Sequence, residues 1–169
     1  MDYDRVETPP DGSLITSDTI AVKHLLERAT LPRTIDLLLC DPGFLSAFLS
    51  ALADRVHANN VKAGWWSDLN TGEDLHGKRN IAELLCLVHS EVSEAMEAHR
   101  KKLADDKLTH RPGFKVELID AIIRILDLLG SEGNSDHPAG VIFIEKMAYN
   151  RSREDHKPEN RRKEGGKAF

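Results

Sequence analysis

The chain has 169 residues, of which 40% are hydrophobic, and its formal net charge is −5. This length and hydrophobic content suit one domain with a single core. The excess of acidic residues argues against a general nucleic-acid binder, which presents a basic surface to the phosphates. The sequence has no apolar run of the roughly 20 residues that span a bilayer, and its start lacks the regions of a signal peptide. We therefore expect a soluble cytoplasmic protein without membrane contact.

The chain carries two cysteines, Cys40 and Cys86. They form no CxxC pair and no cluster with histidines, so the sequence indicates neither a disulfide framework nor a zinc site. We expect both to be reduced residues of the core.

Two helices are predicted in the first third of the chain. The segment SDTIAVKHLLERA begins with Ser17 as a cap and has the spacing of a short amphipathic helix. It belongs to residues 1–40, which we interpret as an N-terminal extension with short helices. In DPGFLSAFLSALADRVHANN, Asp41 is placed as the N-cap and Pro42 as the first helical residue, and apolar residues then recur every three to four positions. This pattern predicts the first core helix.

A long loop and three more helices follow. The segment KAGWWSDLNTGEDLHGKRN contains three glycines and two asparagines and no periodicity, which is typical of a loop, and loops this long are often functional. Helical spacing is kept over residues 79–102, the segment ADDKLTHRPG turns the chain, and a third core helix is predicted from Phe114 to Leu129. After the breaker SEGNSDHPAG, VIFIEKMAYNRSR begins a fourth. Residues 41–150 are thus predicted to form an all-α bundle of four core helices.

The end of the chain has a different charge from the rest. Residues 151–169 contain seven basic residues against four acidic ones. We interpret them as a basic C-terminal tail, for which a solvated, mobile terminus is the plain alternative.

The third core helix carries a stripe of charged residues in an apolar setting. Glu117, Asp120, Arg124 and Asp127 fall in one sector of the helix, and almost every other position from Val116 onward is apolar. A helix that is apolar nearly all round is buried, so the stripe must be buried or face an internal cleft. Unpaired buried carboxylates cost several kcal/mol apiece and need a partner. Arg124 can pair with one of them, and the others need a cation.

A second pair of acids lies on the preceding helix. Glu91 and Glu94 have the same i, i+3 spacing, whereas Glu97 points to water. If the two helices pack antiparallel, the two acid pairs converge in one cleft. Oxygen ligands without His or Cys select Mg²⁺ or Mn²⁺ over zinc. An isolated ExxE on a helix is usually a solvated face, but two such pairs on adjacent apolar helices favour a metal site.

The motifs EVSEAMEAHR and ELIDAIIRILD resemble the ExxE and ExxD motifs of the MazG-like, all-α nucleoside triphosphate pyrophosphohydrolases. The resemblance extends from about Phe44 to the C-terminus through GWWSD, RNIAELLCLVHSEVSEAMEAHR, DDKLTHRPG, EKMAYNRSREDHKPENRR and EGGKAF. It is greatest to a branch found in phages and bacteria. Residues 1 to about 40 fall outside it.

This resemblance implies hydrolysis of a (deoxy)nucleoside triphosphate to its monophosphate and pyrophosphate. Glu91, Glu94, Glu117 and Asp120 would hold Mg²⁺, with Mn²⁺ as a substitute, and one carboxylate would act as base. Purine deoxynucleotides, dGTP and dATP, are the favoured substrates, and damaged nucleotides stay an alternative. The resemblance further implies that a homodimer or homotetramer forms, which also agrees with helices too apolar for one small bundle to cover.

Eight residues are candidates to contact the substrate. The resemblance places basic and amide groups of the last core helix near the phosphates, here Lys146, Asn150 and Arg153 at i, i+4 and i+7; an ordinary exposed helix end is the alternative. Trp65 or Trp66 could stack on the base, although core packing is a rival explanation and is expected for one of the pair. In the turn between the acid helices, Lys107, His110 and Arg111 could reach the phosphates, unless they are merely solvated.

Other classes of protein fit the sequence less well. A di-iron carboxylate bundle needs ExxH pairs, and neither acid motif has a histidine at the third place. The HD phosphohydrolases are disfavoured because the chain has no His-Asp dipeptide. The alternative that stays open is a helical nucleotide-binding or assembly module that does not turn over its ligand.

Overall fold

The computed structural model describes residues 40–132 and 137–167, and the described part of the chain is helical, with isolated β-bridges and no strand. This confirms the all-α fold class. The chain divides into two compact units, Met1–Leu45 and Ser46–Phe169, and the second contains nearly all described residues. The helix predicted after Ser17 and the short helices of residues 1–40 lie outside the described range. Among the described helices, none combines the length and the apolar character needed to cross a bilayer.

The first helix, α1, covers Pro42–Lys62. The backbone N–H of Phe44 donates to Asp41 Oδ1 at 2.6 Å, which is the hydrogen bond that an N-cap carboxylate makes. Pro42 occupies the first helical position, where its missing N–H has no intrahelical acceptor to lose. The predicted start of the first core helix is confirmed.

Helices α2 and α3 cover Ile81–Lys101 and Gly113–Ser131, within two residues of most predicted ends. The Asn80 side chain caps α2 by accepting from the Ala82 N–H. The two helices form an antiparallel hairpin: an added Cβ on Gly113 at the turn would lie 3.2 Å from the Ala98 Cβ, and Glu91 pairs with Arg124 further along. The antiparallel packing on which the acid cluster depends is therefore present.

The turn at residues 102–112 is held by backbone and side-chain bonds. Lys102 ends α2 in the left-handed conformation, with φ 54°, and the Leu103 N–H donates to the Ala98 carbonyl at 3.0 Å. Asp105 is buried, and its Oδ1 accepts from the backbone N–H groups of Lys107 and Leu108. An isolated bridge between Ala104 and Pro112 closes the turn.

Helix α4, Ala139–Ser152, packs against α1 through a glycine. A Cβ on Gly140 would lie 1.9 Å from the Ser46 carbonyl oxygen, and the Gly140 N–H donates to Ser50 Oγ at 3.1 Å. Gly130 at the end of α3 similarly leaves no room for a side chain beside Ala53. These two contacts hold α1 close to α3 and to α4, so the four predicted core helices are all present.

The first part of the tail contains short helical turns. Helix α4 continues two residues beyond the predicted boundary at residue 150, and a 3₁₀ turn, Glu154–His156, and a short helix α5, Pro158–Arg161, follow it. Lys157 Nζ donates to Glu154 Oε1 at 2.5 Å, which ties the 3₁₀ turn to the start of α5.

The core of the chain is small, and many large apolar side chains face outward. Among them are six of α3: Leu118, Ile119, Ile122, Ile123, Ile125 and Leu129. The prediction that α3 is buried nearly all round is therefore wrong for the single chain, because its neighbours cover only one side of it. Cys40 and Cys86 are free thiols, as predicted, but both are exposed rather than in the core.

Candidate metal centre

Three of the four predicted acids converge between α2 and α3. One carboxylate oxygen each from Glu91, Glu117 and Asp120 lies within 4.8 Å of the others. Glu91 is buried on α2, and the other two are half-buried on α3. The i, i+3 spacing places Glu117 and Asp120 on one face of α3, and the antiparallel packing brings Glu91 across to them. This acidic cluster is a possible metal-binding site.

Glu94 lies at the edge of this cluster. It is exposed and falls outside the group of mutually close oxygens. Three residues beyond Glu91 on an α-helix, it is rotated by about 60° around the axis and is displaced by nearly one turn. Its charge nevertheless reaches the cluster, since repulsion by Glu94 is among the causes that raise the pKa of Glu117.

Burial and mutual repulsion disfavour the charged form of the clustered acids. Loss of hydration raises the pKa of Glu117 above its ordinary value, and the charges of Glu94, Glu91 and Asp120 raise it further. Burial and then Glu91 raise the pKa of Asp120, whereas Arg124 opposes the shift. A divalent cation would offset both costs. It would bind the carboxylate oxygens in place of the lost water, and its charge would neutralise the repelling negative charges.

Arg124 is the one cation that pairs directly with the cluster among the described residues. Its Nε donates to Glu91 Oε1 at 2.6 Å. The predicted pairing of Arg124 with one of the acids is thus confirmed. The bond restricts the direction of the Glu91 carboxylate.

A fifth acid near the cluster is missed by the sequence analysis. The negative charge of Asp105, buried in the turn, is among the causes that raise the pKa of Asp120. Asp105 lies in the DDK segment, where it looks like an ordinary solvated turn residue, so no spacing rule identifies it. Its Oδ1 caps the turn, and we assign it a structural role.

Asp127, the last acid of the α3 stripe, does not join the cluster. It accepts hydrogen bonds from His57 Nδ1 at 2.8 Å and from the Trp66 indole N–H at 3.0 Å. Its burial is therefore compensated by α1 and by the long loop instead of by a metal. The stripe predicted from the helical wheel is therefore divided: Glu117 and Asp120 belong to the acidic cluster, and Asp127 faces α1 and the loop.

A cavity of about 260 Å³ adjoins the acids on this side. Trp65 is 64% exposed at its wall, whereas Trp66 is only 3% exposed. One tryptophan of the pair is thus open to a ligand and the other is a core residue. The sequence predicted a core role for one of them without indicating which. The lining comprises Asn60, Trp65, Trp66, Arg79, Leu84, Leu87, Glu91, Asp120, Ile123, Arg124, Asp127 and Leu128.

Asn60 and Arg79 in this lining were not singled out from the sequence. The Arg79 guanidinium donates to the Trp65 carbonyl oxygen at 2.7 Å and lies 5.7 Å from the Trp66 ring centre. In the sequence, both residues lie at the ends of the segment that contains the tryptophans, and this position does not distinguish a residue of the cavity from a surface residue.

The three turn residues predicted to reach the phosphates, Lys107, His110 and Arg111, are not in this cavity. Lys107 Nζ pairs with Asp106 at 2.7 Å. Arg111 lines a second cavity, of about 680 Å³, at the turn end of the α2–α3 hairpin, and the two cavities share no lining residue. A role of Lys107 or Arg111 in binding phosphates stays a prediction.

The three residues predicted on the last core helix also lie outside the acid-side cavity. Lys146 Nζ lies 4.9 Å from the Tyr149 ring centre. Asn150 is in the last turn of α4, but Arg153 follows the helix end in an extended conformation, so the proposed i, i+4, i+7 face is wrong at its third position. Beyond the helix end, the Arg153 guanidinium pairs with Asp155.

Comparison with known proteins returned no match: no family model, no curated protein and no solved structure matches the chain. The resemblance to the MazG-like family therefore rests on the sequence motifs, and the activity that it implies is a proposal.

Proposed function

We propose that the protein is a Mg²⁺-dependent pyrophosphohydrolase that converts a (deoxy)nucleoside triphosphate to its monophosphate and pyrophosphate. The observation that carries the proposal is the convergence of Glu91, Glu117 and Asp120 from two rigid helices. Such a cluster of hard oxygen ligands suits Mg²⁺, or Mn²⁺ in its place. It also explains why an apolar helix hairpin contains acids that repel one another in the absence of a cation.

The chemistry follows from the ligands and from the adjoining cavity. Glu91, Glu117 and Asp120 would hold the cation, with the exposed Glu94 beside them to complete its ligands. Bound Mg²⁺ would neutralise the phosphates and make water a stronger nucleophile. One of the carboxylates accepts the proton of the water that attacks the α-phosphorus.

The cavity beside the acids supplies a place for the nucleoside. The exposed ring of Trp65 offers a surface on which a base can stack, and Asn60 offers an amide donor and acceptor. Purine deoxynucleotides are the favoured substrates because a purine presents the larger ring to the tryptophan. The phosphates would then extend toward the acids that form the other end of the lining.

The position of cleavage is the first prediction, and it tests the proposed function directly. The chain has no GxxxxGK[ST] motif to hold the β- and γ-phosphates, so we expect attack at the α-phosphorus and no orthophosphate among the products. Incubation with dGTP or dATP and Mg²⁺ in ¹⁸O-labelled water should place the label in the monophosphate, as read by mass spectrometry.

Two outcomes would contradict this proposal. Label in the pyrophosphate, or a diphosphate and orthophosphate as products, would mean that another phosphorus is attacked. Tight binding of the nucleotide without any product would instead favour the non-catalytic binding module.

We further propose that the chain functions as a homodimer or homotetramer. Like α3, helix α4 exposes large apolar side chains: Val141, Ile142, Phe143 and Met147. A monomer rarely leaves so many large apolar side chains in water, because each retains an unfavourable contact that association removes.

The expected result is a dimer or tetramer in multi-angle light scattering at micromolar concentration. Ile119→Glu, which places a charge on the exposed face of α3, should dissociate it, whereas Leu69→Glu in the loop should not, although Leu69 is 89% exposed. A stable, active monomer of the unaltered chain would contradict the proposal.

A further inference from the structure

Four side chains outside the acid cluster form a continuous hydrogen-bonded series. The Nε2 atoms of His57 and His76 lie 2.9 Å apart. On their other side, His57 Nδ1 contacts Asp127 at 2.8 Å and His76 Nδ1 contacts Asp74 at 2.5 Å. The series therefore runs from α3 through α1 to the long loop, with one carboxylate at each end.

The number of protons in this series follows from the acceptors at its ends. A bond between an imidazole nitrogen and an ionised carboxylate requires the proton on the nitrogen, because a carboxylate is an acceptor only. Hydrogen bonds from His76 hold the pKa of Asp74 below its ordinary value, which keeps it ionised. Asp127 accepts from the Trp66 indole as well as from His57. Both Nδ1 atoms are therefore donors.

With both Nδ1 atoms protonated, the contact between the two Nε2 atoms requires a proton of its own. Two unprotonated nitrogens at 2.9 Å would direct lone pairs at each other, and two protonated ones would direct hydrogens at each other. A single proton between them satisfies both. The pair then carries one positive charge between two carboxylates.

We infer that His57 and His76 share one proton, and that this shared proton locks residues 63–80 onto α1 and α3 as a positioning device for the substrate cavity. The positioning role rests on the proposed function, whereas the shared proton does not. Neither histidine touches the acid cluster.

The locked loop carries the aromatic wall of the cavity. The Trp66 ring stacks on His76 with centroids 4.9 Å apart and planes 20° apart, and meets His57 edge-on at the same centroid distance. Arg79 lies over the Trp66 ring and binds the carbonyl of Trp65. The proton-sharing pair therefore fixes Trp66, and through Trp66 the positions of its neighbours Trp65 and Arg79 in the lining.

The other charged groups beside the series act on its backbone or on its outer end. Lys78 Nζ donates to the Asp74 carbonyl oxygen at 2.9 Å and pairs with Glu73. Arg79 is directed at the tryptophan instead of at an imidazole. If both Nε2 atoms carried a proton, the two N–H groups would oppose each other and this contact would be lost.

The first experiment is ¹⁵N NMR of the histidine side chains of the full chain at neutral pH. We expect both Nδ1 atoms of the pair to be protonated and the two Nε2 signals to be intermediate between the protonated and unprotonated positions. His76→Gln should return the His57 Nε2 signal to that of an unshared imidazole. His137→Gln, at an exposed position, is the control and should leave the pair unchanged.

The proton count can be tested without disturbing the core. Asp74 is well exposed, so Asp74→Asn should fold normally and lose the negative charge that holds the Nδ1 proton of His76. Because the positive pair then has one neighbouring carboxylate fewer, we expect the two Nε2 signals of this variant to move toward those of unshared imidazoles at the same pH. Two independent neutral imidazoles in the unaltered chain, or a pair with two protons on Nε2 at neutral pH, would overturn the inference.

The positioning role requires a kinetic measurement. His57→Gln and His76→Gln should each raise KM for the triphosphate by about tenfold, as expected for loss of a charge-assisted bond, with little change in kcat or in the Mg²⁺ requirement. The double variant should resemble either single one, because both remove the same shared proton. Additive effects, or a loss confined to kcat, would contradict it. If the chain hydrolyses no triphosphate, the NMR result still decides whether the lock exists.

Discussion

Glu117→Gln and Asp120→Asn are each expected to abolish turnover while leaving the metal-free fold as stable as before or more stable. The raised pKa values of both acids, caused first by burial and then by neighbouring carboxylates, mean that their charged forms are unfavourable without a cation. Removing one charge relieves this repulsion, but it also removes a ligand. Mg²⁺ should therefore raise the melting temperature of the unaltered chain more than that of either variant.

The pH dependence of the same proteins follows from the sign of these shifts. An acid whose pKa is higher in the folded state than in the unfolded state lowers the stability of the fold as pH rises through these two pKa values. The ordinary pKa is 4.5 for Glu117 and 3.8 for Asp120, and in the folded chain both are raised. Without metal, the unaltered chain should lose stability over this interval relative to Glu117→Gln, as measured by thermal unfolding at a series of pH values.

Glu97→Gln is the matched control on α2. Hydrogen bonds from Arg100 and Lys101 lower the pKa of Glu97 to about 2, so its charge is favourable and lies outside the cluster. This variant should keep full activity and become slightly less stable. Unchanged activity in Glu117→Gln or Asp120→Asn, or equal effects at Glu97 and Glu117, would refute the assignment of the metal site.

The parts of the fold predicted correctly are those determined by local pattern. Helix ends were identified from Asp41 and from the glycines and prolines of the turns, since caps and breakers act within a few residues. The convergence of Glu91 with Glu117 and Asp120 was also predicted, because a short turn forces two sequential helices to pack antiparallel and helical spacing then decides which side chains meet.

The incorrect predictions depend on contacts that no local pattern encodes. Asp127 lies in the same stripe of α3 as Glu117 and Asp120, but it bonds to His57 and Trp66, which are distant in sequence. The end of α4 at Ser152, one residue before Arg153, is marked by no neighbouring glycine or proline in the sequence. The exposure of the apolar side chains of α3 in the single chain was not predicted. The sequence pattern of an apolar helix is the same whether a helix of its own chain or another copy of the chain covers it.

Substitution of the two adjacent tryptophans should affect different properties: stability at Trp66 and nucleotide binding at Trp65. Trp66 is 3% exposed and its indole N–H bonds to Asp127, so Trp66→Ala removes a large core side chain and leaves that carboxylate with one donor fewer. Substitutions of this kind cost about 3–5 kcal/mol, which a small core cannot absorb. We expect a large fall in the melting temperature, with any loss of activity following from unfolding.

Trp65→Ala should instead leave the melting temperature nearly unchanged, because the side chain is 64% exposed and contributes little to the core. Loss of a base-stacking surface costs about 1–3 kcal/mol of binding, so KM for the nucleotide should rise at least about fivefold.

Trp66→Phe separates the packing of Trp66 from its hydrogen bond. It keeps an aromatic ring in the core and removes the bond to Asp127, so its loss of stability should be smaller than that of Trp66→Ala. Thermal unfolding and steady-state kinetics of the three variants test the assignment. A destabilised Trp65→Ala would show that this ring is part of the core, and a Trp65→Ala with unaltered KM would show that the base does not bind against it.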